Sequence, residues 1–442
     1  MKRYRKLTSL FLGFSVLVIT NSCQEKWDDP MPEGASIAIS TLFSDLTEEG
    51  AILLQWGDIR ICNGFNCIRN EVSASNYELF VKRPGAQNFE RVIRLPSGTN
   101  QFLFGDVRMG EAYEFFIKSN RAGTSVDSNT VMIIPSAVPA LEVVFRLDLG
   151  GHALMHPRLS PLGNQVAYVS DVRFTESGEE RRALSLFIWD KETQQHSLIK
   201  RYANQPNWSS DGKRLIYVTT EGLSQSAQGS LPSHLEIFDL EGEGFTLFSG
   251  GFHQQYLPSF SKDDKQVFFY SDSLSSDDFG LWQRDFFGNT SPIFPSFRDP
   301  ELITGLAPFF DLDVSRLNGM VALDHLQFFN GRPAYQIFGF DMDNGGQKLD
   351  IMVSQWSDSS PSLSPFDANK LAFVSDRSGI SQVWMLDLVS KELKQVTFFS
   401  TLKSDYRITK IGFAISWADD GKALLIPVSS PRGGRELVKV AF

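Results

Sequence analysis

The chain has 442 residues, 42% of them apolar and 21% charged, with a formal net charge of −10. Its length exceeds one ordinary core, so two or more domains, or one large repeat body with an attachment, are expected. The acidic balance argues against nucleic acid or an anionic membrane surface as the main partner. The 37 Phe, 34 Gly and 20 Pro favour an all-β protein.

Residues 1–22 begin with Lys2, Arg3, Arg5 and Lys6, continue as an apolar run from Leu7 to Ile19, and end at Ser22. The run is too short to span a bilayer as a helix and has the length of a secretory signal. Cys23 follows directly. The layout resembles a bacterial lipoprotein signal peptide, which implies cleavage before Cys23 and lipidation of that residue. Loss of the four basic residues would leave 38 Lys+Arg against 52 Asp+Glu, a net charge of −14. Residues 23–34, beginning "CQEKWDDP", read as an acidic tether. Acids just after a lipidated cysteine resemble the export signals of surface lipoproteins in the Bacteroidetes. The resemblance implies a lipid-anchored outer-membrane protein, with the cell surface favoured over the periplasmic side.

Residues 35–135 hold strand-length apolar or alternating stretches, among them "AILLQWGD", "NYELFVKRP", "QFLFGDV", "EAYEFFIKSN" and "NTVMIIP". Turn formers separate them, and so many short strands in about 100 residues make a β-sandwich. Trp56, Tyr77, Val107, Tyr113 and the ending "KSNRAGTSVDSNTVMI" resemble the fibronectin type III fold. That resemblance implies a spacer or binding module, with Val107 and Tyr113 at a tyrosine corner. Within "CNGFNC", Cys62 and Cys67 are read as a local disulfide following the second strand.

Residues 141–442 contain a phrase that returns six times, as in "QPNWSSDGKRLIYVTT", "SPSLSPFDANKLAFVSD" and "AISWADDGKALLIPVS". The aligned positions are Pro157, Pro206, Pro258, Pro308, Pro361 and Ile415, about 50 residues apart. In unit four, Asp311 and Asn318-Gly319 are the turn-like remnants. Each unit carries four strand-like segments, and stacking four-stranded sheets radially buries both faces. Six units predict a six-bladed β-propeller. The last unit stops at its third strand, so Leu141–Leu149 is expected to supply the missing strand. The phrase resembles the TolB-type propeller repeat. It is architectural: Trp208 packs between sheets, Asp211-Gly212 turns the chain, and Asp171, Asp272 and Asp376 cap turns.

No nucleophile elbow, P-loop, dinucleotide fingerprint or H-E-x-x-H motif occurs in the sequence, so no catalytic residue, metal or cofactor is expected. The segments that enter the inner strands supply His156, Tyr202, His253, Tyr256, Trp356, Asp358, Tyr406 and Arg407. These are the candidate binding residues of one propeller mouth. The function read from the sequence is a non-catalytic binding scaffold for an envelope protein or peptide. The alternative is a polysaccharide-binding or lyase-like propeller with a glycan ligand, for which His156 and His253 would be metal ligands.

Overall fold

A computed structural model describes residues 35–39, 41–47, 49–57, 59–63, 66–72, 74–121, 123–147, 153–221, 233–242, 244–248, 254–271, 279–294, 311–329, 332–399, 406–408, 414–430 and 434–442. These residues form β-strands and two short 3₁₀ turns, with no α-helix among them. Cys23, His253, Asp272 and Pro308 lie outside the described residues.

The strands form where large apolar residues recur at every second position. Tyr113–Arg121 buries Tyr113, Phe115, Ile117, Ser119 and Arg121, and Asn76–Lys82 buries Tyr77, Leu79 and Val81. These two strands pair with each other and with Glu90–Pro96, Thr124–Asp127 and Val131–Ile133. A second sheet of Phe43–Leu46, Ile52–Gln55 and Gln101–Phe104 closes over their apolar side. Trp56 is buried 5.8 Å from the Tyr77 ring, and the Arg108 N–H donates to Tyr113 Oη at 2.9 Å.

The "CNGFNC" stretch lies across a hairpin of two strands. Ile59–Asn63 and Asn66–Val72 form an antiparallel hairpin, and Ala35–Ile39 adds a third strand. Cys62 stands opposite Cys67 in the register. Residues facing each other across an antiparallel pair have Cα atoms about 4.5 to 5.5 Å apart, a spacing within the range a disulfide spans.

From residue 155 onward six antiparallel sheets follow one another. Their innermost strands are Met155–Leu159, Ala203–Trp208, Gln255–Phe260, Leu312–Val314, Asp358–Leu363 and Ser416–Ala418. Three further strands follow in order in each of the first five sheets. Each innermost strand packs against the next through the fifth sheet, a shared apolar cluster joins the fifth sheet to the sixth, and the sixth returns to the first. Burial falls from inside to outside: Asp358–Leu363 is buried throughout, whereas His196–Arg201 at the outer edge is mostly exposed. This gradient follows from sheets stacked face to face around a common axis.

In the sixth sheet Ala423–Ser429 pairs with Arg435–Ala441, and Leu141–Leu147 pairs antiparallel with the outer side of Arg435–Ala441. The early strand thus lies on the outer side of the sixth sheet, where the first five sheets have their fourth strand.

Three details correct the repeat alignment. In the fourth sheet Val314 pairs with Val321 as Trp208 pairs with Leu215, so Leu312, not Pro308, holds the proline position. Asp311 consequently lies buried at the inner strand rather than in a turn, whereas Gly319 has the expected positive φ of 69°. Asp171 sits inside the long strand Gln165–Glu176, paired with Arg182 across a hairpin, and caps no turn.

The two parts of the chain are docked. Ser44 N donates to the Ser378 carbonyl at 2.9 Å, Met132 N donates to the Arg377 carbonyl, and Trp356 Nε1 donates to the Thr130 carbonyl at 3.2 Å. Gly379, at φ 91°, lies against the backbone of Leu42 and Phe43, where a Cβ would collide with the Leu42 carbonyl. All of these contacts fall on the fifth sheet and the segment entering it.

Candidate functional site

The residue before each Trp, Phe, Leu or Val of the repeat lies on the innermost strand. These residues are Arg158, Asn207, Ser259, Asp313, Ser362 and Ser416. All are polar, and most bind a neighbouring sheet. Asn207 Nδ2 donates to Ser259 Oγ at 3.0 Å, Leu363 N to Asp313 Oδ2 at 2.7 Å, and Ser416 Oγ to the Pro157 carbonyl at 3.0 Å. The tryptophans of the repeat add to this. Trp208 Nε1 donates to the Arg158 carbonyl at 2.9 Å and Trp417 Nε1 to the Ser362 carbonyl at 3.1 Å. With Arg316 Nη1 donating to the Ser261 carbonyl at 3.2 Å between the fourth and third sheets, these bonds link each sheet to the next.

Arg158 is the centre of this network. It is buried, donates from Nη2 to Asp311 Oδ1 at 2.5 Å and from Nη1 to the Ile415 carbonyl at 3.3 Å. Burial, partly offset by Arg158, pushes the Asp311 carboxyl up to about 8, and burial likewise raises Asp313. Beside them His156 is buried at φ 46°, and burial, helped by Arg158, pushes its pKa down to about 3. His156, Arg158 and Asp311 enclose a void of only about 10 Å³ with Asn207 and Leu257.

On the far side of Arg158, where the turns leading out of the innermost strands converge, a cavity of about 550 Å³ opens. Arg158, Asp313, Ser362 and Ser416 are among its polar lining groups, and Leu162, Trp208, Phe366 and Trp417 among its apolar ones. A second hollow of about 410 Å³ lies between the third and fourth sheets and is bridged by Lys262 Nζ, 2.7 and 2.9 Å from the Asp343 oxygens. It touches two sheets, whereas the axial cavity draws on five.

The residues singled out in the sequence sit at the other end of the inner strands and are separately engaged. Tyr202 Oη donates to Glu176 at 3.2 Å, Tyr256 Oη to Gln254 at 2.9 Å, and Tyr406 Oη to Glu436 at 3.1 Å. Arg407 is exposed. Trp356 and Asp358 are brought together, around one guanidinium. Arg377 is buried, donates to Asp358 Oδ1 at 2.6 Å and lies 5.2 Å from the Trp356 ring centre. Asp358 is itself fully buried, so it forms part of the joint with the N-terminal part and not an accessible rim. His156 is enclosed. Among the described residues no group of three His, Cys, Asp or Glu could hold a metal ion.

Arg158, Asp313, Leu162 and Phe366 were not singled out from the sequence. Their signal lay in the repeat itself, in the charged residues one place before the packing Trp or Leu and in the apolar residues at a turn position that elsewhere holds Asp.

No family model matches the chain, and no curated protein matches it. Among solved structures, it is similar to the β-propeller domain of the Trilobed protease from Pyrococcus furiosus at 14% identity and a TM-score of 0.44, over 66% of this chain and 94% of that one. TolB from Acinetobacter baumannii is similar at 12% identity and a TM-score of 0.35, over 92% and 80%. The oligogalacturonate lyase of Vibrio parahaemolyticus is similar at 12% and 0.42, over 69% and 97%. These neighbours are β-propellers, and at such scores they carry no argument about what this chain does.

Proposed function

We propose that the chain is a lipid-anchored, non-catalytic binding scaffold of the bacterial cell envelope. In this reading residues 35–135 are a fibronectin type III-like sandwich stiffened by a Cys62–Cys67 disulfide. The six sheets are a six-bladed TolB-type propeller closed by the early strand. Cys23 carries the lipid that holds the protein at the outer membrane, and the propeller takes a protein or peptide partner.

One observation carries the binding role. The polar groups at the axis are tied into bonds that hold the sheets together, while an open cavity of mixed polar and apolar lining stands directly above them. Such a rigid floor under an open mouth suits recognition. The tyrosine-corner bond and the Trp56–Tyr77 contact support the sandwich assignment.

The test is cross-linking in intact cells, purification of the protein in detergent, and identification of what accompanies it. One specific envelope protein is the expected result. Specific retention of an acidic oligosaccharide, with no protein partner, would replace the scaffold by the glycan reading. Cys23→Ser should release the protein from the membrane fraction.

A further inference from the structure

The six turns that follow the innermost strands are built alike, yet their third residue divides into two chemistries. In the second, third and sixth sheets it is Asp211, Asp263 and Asp420. Asp211 accepts from Ser209 Oγ at 2.6 Å and Lys213 N at 3.0 Å, and Asp263 from Ser261 Oγ at 2.8 Å and Lys265 N at 3.2 Å. In the first, fourth and fifth sheets the same place holds Leu162, Leu317 and Phe366, which are 66%, 48% and 49% exposed. These turns thus present hydrocarbon to solvent where the other three present a carboxylate. Two of them are braced by the neighbouring turn. Leu162 lies against Gly212 and Phe366 against Gly421. Leu162 and Phe366 line the axial cavity.

The charge balance inside the cavity is one-sided. Arg158 is committed to Asp311 and the Ile415 carbonyl. Arg316 is committed to Asp264 at 3.1 Å and to the carbonyls of Ser261 and Trp208. Asp313, half-buried on the cavity floor, accepts from the backbone N–H groups of Val314 and Leu363; it forms no direct salt bridge among the described residues, although Arg158 and Arg316 act on it through space. Asp419 and Asp420 are exposed on the rim, and Asp419 shares Lys439 at 3.2 Å. The carboxyl group without a direct salt bridge is at the bottom and the apolar groups are at the top. That is the order in which a long basic side chain would need them, its stem against hydrocarbon and its charge on a carboxylate.

We infer that the axial cavity is the docking site for a polypeptide partner, which inserts a lysine or arginine side chain between Leu162 and Phe366 toward Asp313. The inference rests on the scaffold reading and names the contact face and the partner's chemistry. The face is free for this, because the N-terminal part docks at the opposite end of the inner strands, on Trp356 and Arg377 to Gly379. Anionic lipid would meet Asp313, Asp419 and Asp420 instead of a cation.

The experiment uses the mature chain against a displayed library of random heptapeptides, followed by affinity measurement on the enriched sequences. Four proteins are compared: wild type, the triple variant Leu162→Asn/Leu317→Asn/Phe366→Asn, Asp313→Asn and Asp420→Lys. Asparagine keeps a turn-forming side chain, and a melting curve reports folding. Asp420→Lys, on the exposed rim, is a charge reversal that leaves the floor intact. Enriched peptides should carry Lys or Arg flanked by apolar residues. Affinity should fall at least tenfold in the triple variant, in Asp313→Asn and in Asp420→Lys, and should weaken with salt in the wild type. Enrichment of acidic or uncharged peptides, or affinities within twofold across all variants, would overturn the inference. In cells, a cross-linked partner that the triple variant retains would leave the scaffold standing and remove this face. Recovery of no partner by the wild type would remove both.

Discussion

Replacing Asp358 with Ala tests how the two parts of the molecule are joined. Arg377 is buried beneath the joint, held by Asp358 Oδ1 at 2.6 Å and Ser375 Oγ at 2.8 Å, and it lies 5.2 to 5.3 Å from the ring centres of Trp356, Phe373 and Trp384. Its own carbonyl accepts from Met132 N, and Trp356 Nε1 donates to the Thr130 carbonyl. Removing the carboxylate strands a cation without its counter-charge, which costs about 3 to 5 kcal/mol. The three rings remain and keep part of their attraction, at about 0.5 to 2 kcal/mol each. The expected loss is therefore near the lower end, about 3 kcal/mol, or roughly two decades in the folded-to-unfolded ratio. Two readouts check it: the melting temperature, and limited proteolysis in residues 136–140 between the two parts. Both should shift in Asp358→Ala, and Asp358→Leu/Arg377→Met should recover most of the loss, because an apolar pair leaves no buried charge. A melting temperature unchanged in the single variant, or a double variant as unstable as the single, would refute the account of the joint.

Three further outcomes are expected. Asp311 has its folded pKa raised to about 8, so its native proton is lost on unfolding and stability falls as pH rises through that value. His156 is held neutral down to about 3, so its contribution is lost as pH drops below the unfolded value of about 6.5. The two slopes oppose each other below that value, leaving a decline from about pH 6.5 to 8 that pH-dependent melting should show and Asp311→Asn should flatten. Gly379→Ala should loosen the joint, since its Cβ meets the Leu42 carbonyl at a positive φ, and proteolysis of residues 136–140 should accelerate. Tyr113→Phe leaves the Arg108 N–H without its acceptor and should cost about 1 to 3 kcal/mol by denaturant unfolding, with no effect on partner binding.

The sequence by itself determined the strand content, the six-fold recurrence and the use of Leu141–Leu147 beside Arg435–Ala441. These follow from local facts: alternation of apolar residues, turn formers at fixed places, and a last unit one strand short. It located Trp208 between sheets for the same reason, since packing positions repeat. The fourth unit was misaligned because its inner strand lacks the proline, and pairing of Val314 with Val321 decided the register.

The candidate site was legible in its parts and not in its assembly. Entry-side aromatics such as Trp356 and Tyr406 look free in a one-dimensional reading, but whether a side chain is exposed depends on what folds back over it. Trp356 is taken by Thr130, more than 200 residues away, and Asp358 by Arg377, whose own carbonyl is held by Met132 of the N-terminal part. Conversely, Arg158, Asp313, Leu162 and Phe366 are each unremarked in their own repeat. They become one cavity because the inner strands converge on an axis, and that convergence belongs to the ring of sheets, not to any one of them.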